Sequence, residues 1–363
     1  MKNTIGNNLT LTLFGESHGK AIGAVLDGVP SGIAVDEGFI TAQMEKRKGI
    51  SSISTPRREA DEVKILSGVF EGRTTGTPIC FMLENTDTKS KDYSTIKELA
   101  RPGHADYTAE MRYGGFQDYR GGGHFSGRLT APIVAAGALA ISMLKEKGIL
   151  IGTHISSCGE IEDRAFDDID GDIKLLEGLD MPVLCEKARS EMLSYIENAK
   201  NEGDSVGGTL TTVVTGMPAG VGEPWFDSVE SMLSHGLFSI PAVKGVSFGK
   251  GFELTKMKGS EANDEFAVED GNIMTKTNNN GGINGGITNG MPLCFTVAVK
   301  PTPSIYKKQN TVNFKTAENA VLNINGRHDP AIIHRARVVV DSITALTLCD
   351  LLISRFGTQF FGK

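Results

Sequence analysis

The chain has 363 residues, 39% of them apolar and 22% charged, with a formal net charge of −7. That length accommodates one large domain or two ordinary ones, and the apolar share suffices for a sizeable core, which excludes a disordered chain. The acidic balance excludes a nucleic-acid role driven by global charge, so any anion site must be a local basic patch.

Taken in chain order, Leu9, Leu11 and Leu13 alternate with Thr10 and Thr12, which predicts a half-buried strand running into Gly15. Asp36 is placed to cap a helix whose Phe39, Ile40, Gln43, Met44 and Arg47 share one side. Ile79–Leu83, Leu210–Val214 and Leu293–Val299 read as further strands. Ala131–Leu144 is small and aliphatic but too short to span a bilayer, so it reads as a buried helix with no membrane role. A second such helix is expected from Arg335 or Arg337 to about Ser354, and an amphipathic one at 186–200 with Met192, Leu193 and Ile196 on one face. Alternating strands favour antiparallel sheets with one covered face. The fold class expected is therefore α+β, with sheets covering a helical middle.

The chain also echoes itself. Asp27-Gly28-Val29-Pro30-Ser31-Gly32 has a counterpart in Thr215-Gly216-Met217-Pro218-Ala219-Gly220, and the segment 72–81 has one in 286–295. Chance among 44 glycines and 13 prolines is the plain alternative. Duplication instead predicts one domain over 1–363, built of pseudo-twofold halves at about 9–145 and 205–357 joined by an insert at about 150–204.

The five cysteines are widely spaced and form no Cys-x-x-Cys pair, which argues against a disulfide framework or a zinc ribbon. The N-terminus shows no charged segment followed by an apolar one, so the expectation is a soluble, cytoplasmic protein.

Three boxes set a histidine among glycines, arginines and carboxylates: Gly15-Glu16-Ser17-His18-Gly19, Arg101-Pro102-Gly103-His104-Ala105-Asp106 and Gly326-Arg327-His328-Asp329-Pro330. A fourth histidine, His124, lies in the glycine run from Arg120 to Arg128. Glycine admits close backbone approach, arginine pairs with planar or phosphate anions, and histidine moves protons near neutral pH. Each box also has a bland reading, as a turn, a locally bonded histidine or a structural Arg–Asp pair. Gly15–Lys20 fails the Walker spacing, and the glycine run lacks a dinucleotide fingerprint. That run precedes the buried helix, where backbone N–H groups can cradle an anion. Lys46, Arg47, Lys48, Arg57 and Arg58 form a basic cluster that reads either as a solvated surface or as a flap over an anionic ligand. Val299-Lys300-Pro301-Thr302-Pro303-Ser304 offers a stiffened Lys, Thr and Ser for a phosphate. Two rivals use the same residues. Glu16/His18, His104/Asp106 and His328/Asp329 could ligate metals in a metal-dependent phosphatase, or the boxes could bind a polyanion without catalysis.

Together the boxes, their order and their spacing resemble the signature set of the chorismate synthase family, as do Val63–Gly68, Glu84–Asp87 and Lys300-Pro301-Thr302. The resemblance covers essentially the whole chain. It implies a β-α-β sandwich, with a helical layer between antiparallel sheets, in a homotetramer. It also implies the anti 1,4-elimination of phosphate from 5-enolpyruvylshikimate-3-phosphate to chorismate, the last step of the shikimate pathway, with reduced FMN as cofactor and no metal. By motif match His104 is the acid near the phosphate, His18 protonates the flavin at N1 and Asp329 accepts a proton from N5. FMN contacts are implied for His124, Phe125, Ser126, Pro241, Ala242, Gly285, Lys300, Pro301, Thr302, Pro303, Ser304 and Arg327. Arg47, Arg101, Arg128 and Arg327 become anion ligands for the substrate. Some relatives reduce the flavin themselves with NADPH, for which Arg47 is the matching position; others depend on a separate flavin reductase. Two departures stand out. His124 replaces the usual arginine, and Glu45, Lys46 and Ser52 replace arginines common in relatives, which weakens the NADPH assignment.

Overall fold

The computed structural model describes residues 2–50, 53–54, 61–86, 97–324 and 328–362. Two five-stranded antiparallel sheets enclose a pair of helices. The first sheet runs in the order Thr4–Ile5, Thr10–Gly15, Ala21–Asp27, Ile79–Glu84, Lys64–Ser67. The second runs Val243–Phe248, Leu293–Val299, Gly208–Thr215, Leu150–Cys158, Ile161–Glu162. Period two decides which face is covered: Ile79, Phe81 and Leu83, like Leu293, Phe295, Val297 and Val299, are buried toward the helices while their neighbours are less so. Each of these apolar side chains contributes about 1.5–3 kcal/mol by leaving water.

The inner layer consists of the Thr130–Glu146 and Ile333–Phe356 helices, packed on each other and each on one sheet. Both are buried nearly all round, so neither shows a strong polar face. Small residues permit the crossing. A methyl added at Gly137 would lie 2.2 Å from Ser342 Cβ, so the helices touch there backbone to backbone. Asp350, on the second helix, accepts from the backbone N–H groups of Asn7 (2.9 Å), Asn8 (2.6 Å) and Leu9 (2.9 Å). That carboxylate anchors the start of the strand that carries the first histidine box.

The α+β sandwich expected from the sequence is present. Its elements fall close to their expected bounds: the helix capped by Asp36 spans Glu37–Glu45, with Asp36 accepting from Phe39 N at 2.9 Å, and the amphipathic one spans Glu186–Asn201. Arg47 lies beyond the end of the first of these, not on its face. The stretch from 150 is also more than an insert, since Leu150–Cys158 pairs along Gly208–Thr215 within the second sheet. Its Thr153, Ile155 and Cys158 side chains are buried, which the acidic composition of the rest of the stretch conceals.

The echoed segments have matched geometry. Gly28 and Gly216 both turn with positive φ (88° and 77°) after a central strand. Thr74 Oγ1 donates to Pro30 O (2.5 Å) while Ile33 N donates to Thr74 Oγ1 (3.0 Å). In the second half Thr288 Oγ1 donates to Pro218 O (2.6 Å) and Val221 N to Thr288 Oγ1 (2.9 Å).

Candidate active site

The first sheet delivers the first histidine. Its second strand ends at Gly15, where φ is 95° and a methyl would meet Ala21 O at 2.4 Å, so the chain can reverse there only through glycine. Asn85 Nδ2 clamps the turn by donating to Glu16 O and Gly19 O, both at 3.0 Å. The turn is then fastened to the glycine run. Ser17 N donates to Gly123 O (3.1 Å), Ser17 Oγ to Gly121 O (3.0 Å), and His124 Nδ1 to Gly15 O (2.8 Å). His18 is 8% exposed, and a methyl at Gly121 would come 2.4 Å from its ring.

Gly121, Gly122 and Gly123 all have positive φ (59°, 85° and 53°). They do not sit at the N-terminus of the buried helix as expected. A short 3₁₀ turn, Gly127–Leu129, intervenes, capped by Ser126, whose Oγ accepts from Arg128 N at 3.2 Å. The glycines form a floor beneath imidazoles instead: Gly121 under His18, and Gly122 beside His104, whose Nε2 would lie 3.6 Å from a methyl there. Phe125 follows, partly exposed, with its edge toward Tyr113.

In the second box Asp106 is the hub. Its Oδ1 accepts from His104 Nδ1 (2.8 Å) and Arg101 Nη2 (2.7 Å), and its Oδ2 from Arg101 Nε (2.7 Å) and Arg101 N (3.0 Å). Burial alone would raise the Asp106 pKa, but the hydrogen bonds from Arg101 and His104, with the Arg101 charge, hold it far below the usual carboxylate range. Arg101, expected to face an anionic ligand, thus turns its Nε and Nη2 toward Asp106. These residues line an open cleft together with Ala109, Gln117, Tyr119, Gly122 and Phe125.

Arg47 and Arg128, both buried, come together on the far side of Asn85 from the first histidine turn. Asp61 bridges them, one oxygen 2.7 Å from Arg47 Nη1 and the other on Arg128 Nη1. Thr130 Oγ1 accepts from Arg47 Nη2 (3.2 Å), and Asn85 Oδ1 from Arg128 Nε (3.2 Å). Neither Asp61 nor Thr130 was singled out from sequence, because polar residues that serve a buried guanidinium look like ordinary surface ones in a linear reading. Asp329 Oδ2 pairs with Arg335 Nη1 (2.6 Å), and Arg335 Nε donates to Arg47 O (2.8 Å). Asp329 is therefore tied to the arginine side of the site. Next to it His334 is buried, its Nε2 3.1 Å from Ser54 Oγ. Burial, then the Arg335 charge, lowers its pKa to about 4.

The other expected flavin contacts divide. Lys300 Nζ donates to Gly103 O (2.5 Å), Lys300 N to Ala242 O (3.0 Å), and Pro303 lies beside Gly103, so 241–242 and 300–304 do reach the His104 loop. His328 stacks obliquely with Tyr306 at 5.3 Å, and burial, then the Arg101 charge, lowers its pKa. Gly285 lies exposed in the 283–288 hairpin. Arg327, Arg57 and Arg58 lie outside the described residues. Buried Thr302 Oγ1, His328 Nε2 and Gln117 Oε1 have no hydrogen-bond partner among the described residues. Such atoms call for a polar ligand. Gln117 lines the cleft with Gly122 and Phe125, a setting that fits a planar, heteroatom-rich ring. Among the described residues no three His, Cys, Asp or Glu side chains gather in metal-binding range.

Residues 9–353 match the family model described as chorismate synthase. The chain is 46% identical over 352 residues to a chorismate synthase of Pyrococcus abyssi (strain GE5 / Orsay), covering 96% of this chain and 97% of that one. It is 48% identical over 361 residues to one from Lachnoclostridium phytofermentans, covering 98% and 96%. A crystal structure of chorismate synthase superposes with a TM-score of 0.76 at 28% identity, over 97% of this chain and 94% of that one.

Proposed function

The chain belongs to the chorismate synthase family, carbon–oxygen lyases acting on phosphates, and on that premise we propose how its residues divide the reaction. The substrate is 5-enolpyruvylshikimate-3-phosphate. Phosphate leaves from C3 and hydrogen from C6 on opposite faces, so a concerted route is poor. Reduced FMN, when bound, supplies transient electron density to the reacting carbons in a reaction that is redox-neutral overall.

The chain's own part is positioning, exclusion of water and proton movement. His104 turns Nε2 to the cleft, because Asp106 holds its Nδ1 at 2.8 Å, and so presents a proton to the departing phosphate. His18, set over the same glycine floor, would hold a proton for flavin N1. Asp329 would accept a proton from flavin N5 once FMN is bound. Arg47 and Arg128 bind anionic groups of the substrate, and Arg101 serves through Asp106 instead of touching it. His124–Ser126, Pro241, Ala242, Lys300–Ser304 and Arg327 are the segments assigned to FMN. The observation that carries this reading is the convergence of His18 and His104, 86 residues apart in the chain, on adjacent glycines of one run.

Glu45, Lys46 and Ser52, in place of arginines common in relatives, support delivery of reduced flavin by a separate reductase over NADPH binding at Arg47. We assign the protein to the cytoplasm as a homotetramer, in which exposed Trp225 and Phe226 are candidates for burial. An anaerobic assay with photoreduced FMN and the enolpyruvyl phosphoester tests the activity directly. Chorismate and phosphate should appear in equal amounts, with no added reductase needed. Phosphate without chorismate would replace the proposal with a phosphatase.

A further inference from the structure

We infer that Asp106 is the positioning residue of the acid–base machinery, fixing the ring orientation and tautomer of His104, with Arg101 as its clamp. The inference rests on the role proposed above for His104.

Four hydrogen bonds saturate the Asp106 carboxylate, and three of them come from Arg101. A carboxylate gripped by a guanidinium fork and a backbone N–H cannot rotate away from the imidazole. Being ionised, it can only accept, so His104 Nδ1 must carry a proton whenever the ring is neutral. The lone pair, or in the cation the second N–H, is then on Nε2. That atom lies near Gly122, where even an added methyl would stand at an ordinary 3.6 Å. The loop itself is braced from outside: Lys300 Nζ donates to Gly103 O (2.5 Å), and His104 N donates to Arg101 O (3.0 Å). Asp106 opens the Asp106–Tyr113 helix, whose N-terminal dipole further favours the carboxylate form. Charge also balances, since Arg101 neutralises Asp106. The dyad can thus orient the imidazole without adding a negative charge where a polyanion must bind.

The experiment has two arms, both on the full-length chain. The first is a double-mutant cycle. Asp106→Asn, which can present an amide N–H to Nδ1 and so favour the wrong tautomer, should slow turnover roughly 10²–10⁴-fold with reduced FMN supplied. In a His104→Ala background the same change should cost no more than about a further twofold, because its partner is gone. Equal losses in both backgrounds would overturn the inference by showing that Asp106 supports the loop and not the ring. If His104→Ala alone keeps full turnover, the role of His104 fails, and the second arm still judges Asp106. That arm is magic-angle-spinning ¹⁵N NMR of histidine-labelled protein at about pH 8, above the ordinary histidine range, with the His104 signals assigned by their loss in His104→Ala. Wild type should show a protonated Nδ1 and a bare Nε2, exchanged in Asp106→Asn. A wild-type ring protonated at Nε2 would overturn the inference even if the Asp106 variant did not fold.

Discussion

Replacing Gly121 by alanine separates the two functions of the glycine run. The residue has φ of 59°, and an L side chain in the left-handed region costs about 1–2 kcal/mol. The added methyl would lie 2.4 Å from the His18 ring, where non-bonded contact needs about 3.5 Å, so the imidazole must retreat by about 1 Å. A displacement of that size in a group that moves a proton lowers turnover by roughly 10²-fold. Gly122→Ala shares the positive φ (85°), but its methyl would meet His104 Nε2 at an ordinary 3.6 Å, so it should show the backbone cost with little loss of rate. Gly259→Ala has neither clash nor positive φ and is the control. The assay is turnover to chorismate under anaerobic conditions with reduced FMN in excess, beside urea unfolding of each variant. If Gly121→Ala lost stability as expected yet kept wild-type turnover, the ring of His18 would have no role in proton movement and the argument from the glycine floor would fail.

Asp61→Ala leaves Arg47 and Arg128 facing each other in a buried site, and urea unfolding should show a loss of about 3–5 kcal/mol; an unchanged midpoint would mean that the bridge is idle. His334 predicts a pH effect on stability. Its folded pKa, about 4, lies below the ordinary value of 6.5, so the unfolded chain takes up a proton that the folded one refuses. Stability is therefore fully present above pH 6.5 and falls by about 3 kcal/mol as pH drops from 6.5 to 4. Unfolding of His334→Gln should lack that component, and equal slopes in both proteins would contradict the assignment. Gly137→Ala should destabilise by about 1–3 kcal/mol or more through overpacking against Ser342, measured by thermal unfolding; an unchanged melting temperature would place the helix crossing elsewhere.

The fold was legible where one physical rule governs a whole segment. Leu293–Val299 alternates in sequence and in burial, and the small residues of Ala131–Leu144 could serve only a tightly packed inner helix. The strand after residue 150 is hidden in the sequence because Leu150–Cys158 mixes buried polar and apolar residues: Thr153 and His154 are interior, bonded to Asp341 and Asp163. A linear reading cannot see that Asp341, 188 residues away, takes the Thr153 hydroxyl. In the site, the histidine boxes were readable because glycine, arginine and histidine seldom cluster without a ligand. Their contacts were not. Arg101 sits beside Pro102 and His104 in the chain, yet its guanidinium serves Asp106. The glycine run was taken for an anion cradle at a helix end, and it is the floor under two imidazoles. Asp61 and Arg335 gain meaning from partners far along the chain: Asp61 bridges Arg47 and Arg128, and Arg335 joins Asp329 to the Arg47 carbonyl oxygen.

The central claim is spatial: one cleft brings flavin and phosphoester to His18, His104 and the arginine pair. A crystal structure of the complex with FMN and the substrate measures it most directly. The account predicts the isoalloxazine ring against Gly121–Gly123, with its N1 edge toward His18 and the ester phosphate within hydrogen-bonding reach of His104 Nε2. Flavin and ester bound together at a distance from both histidines would contradict it.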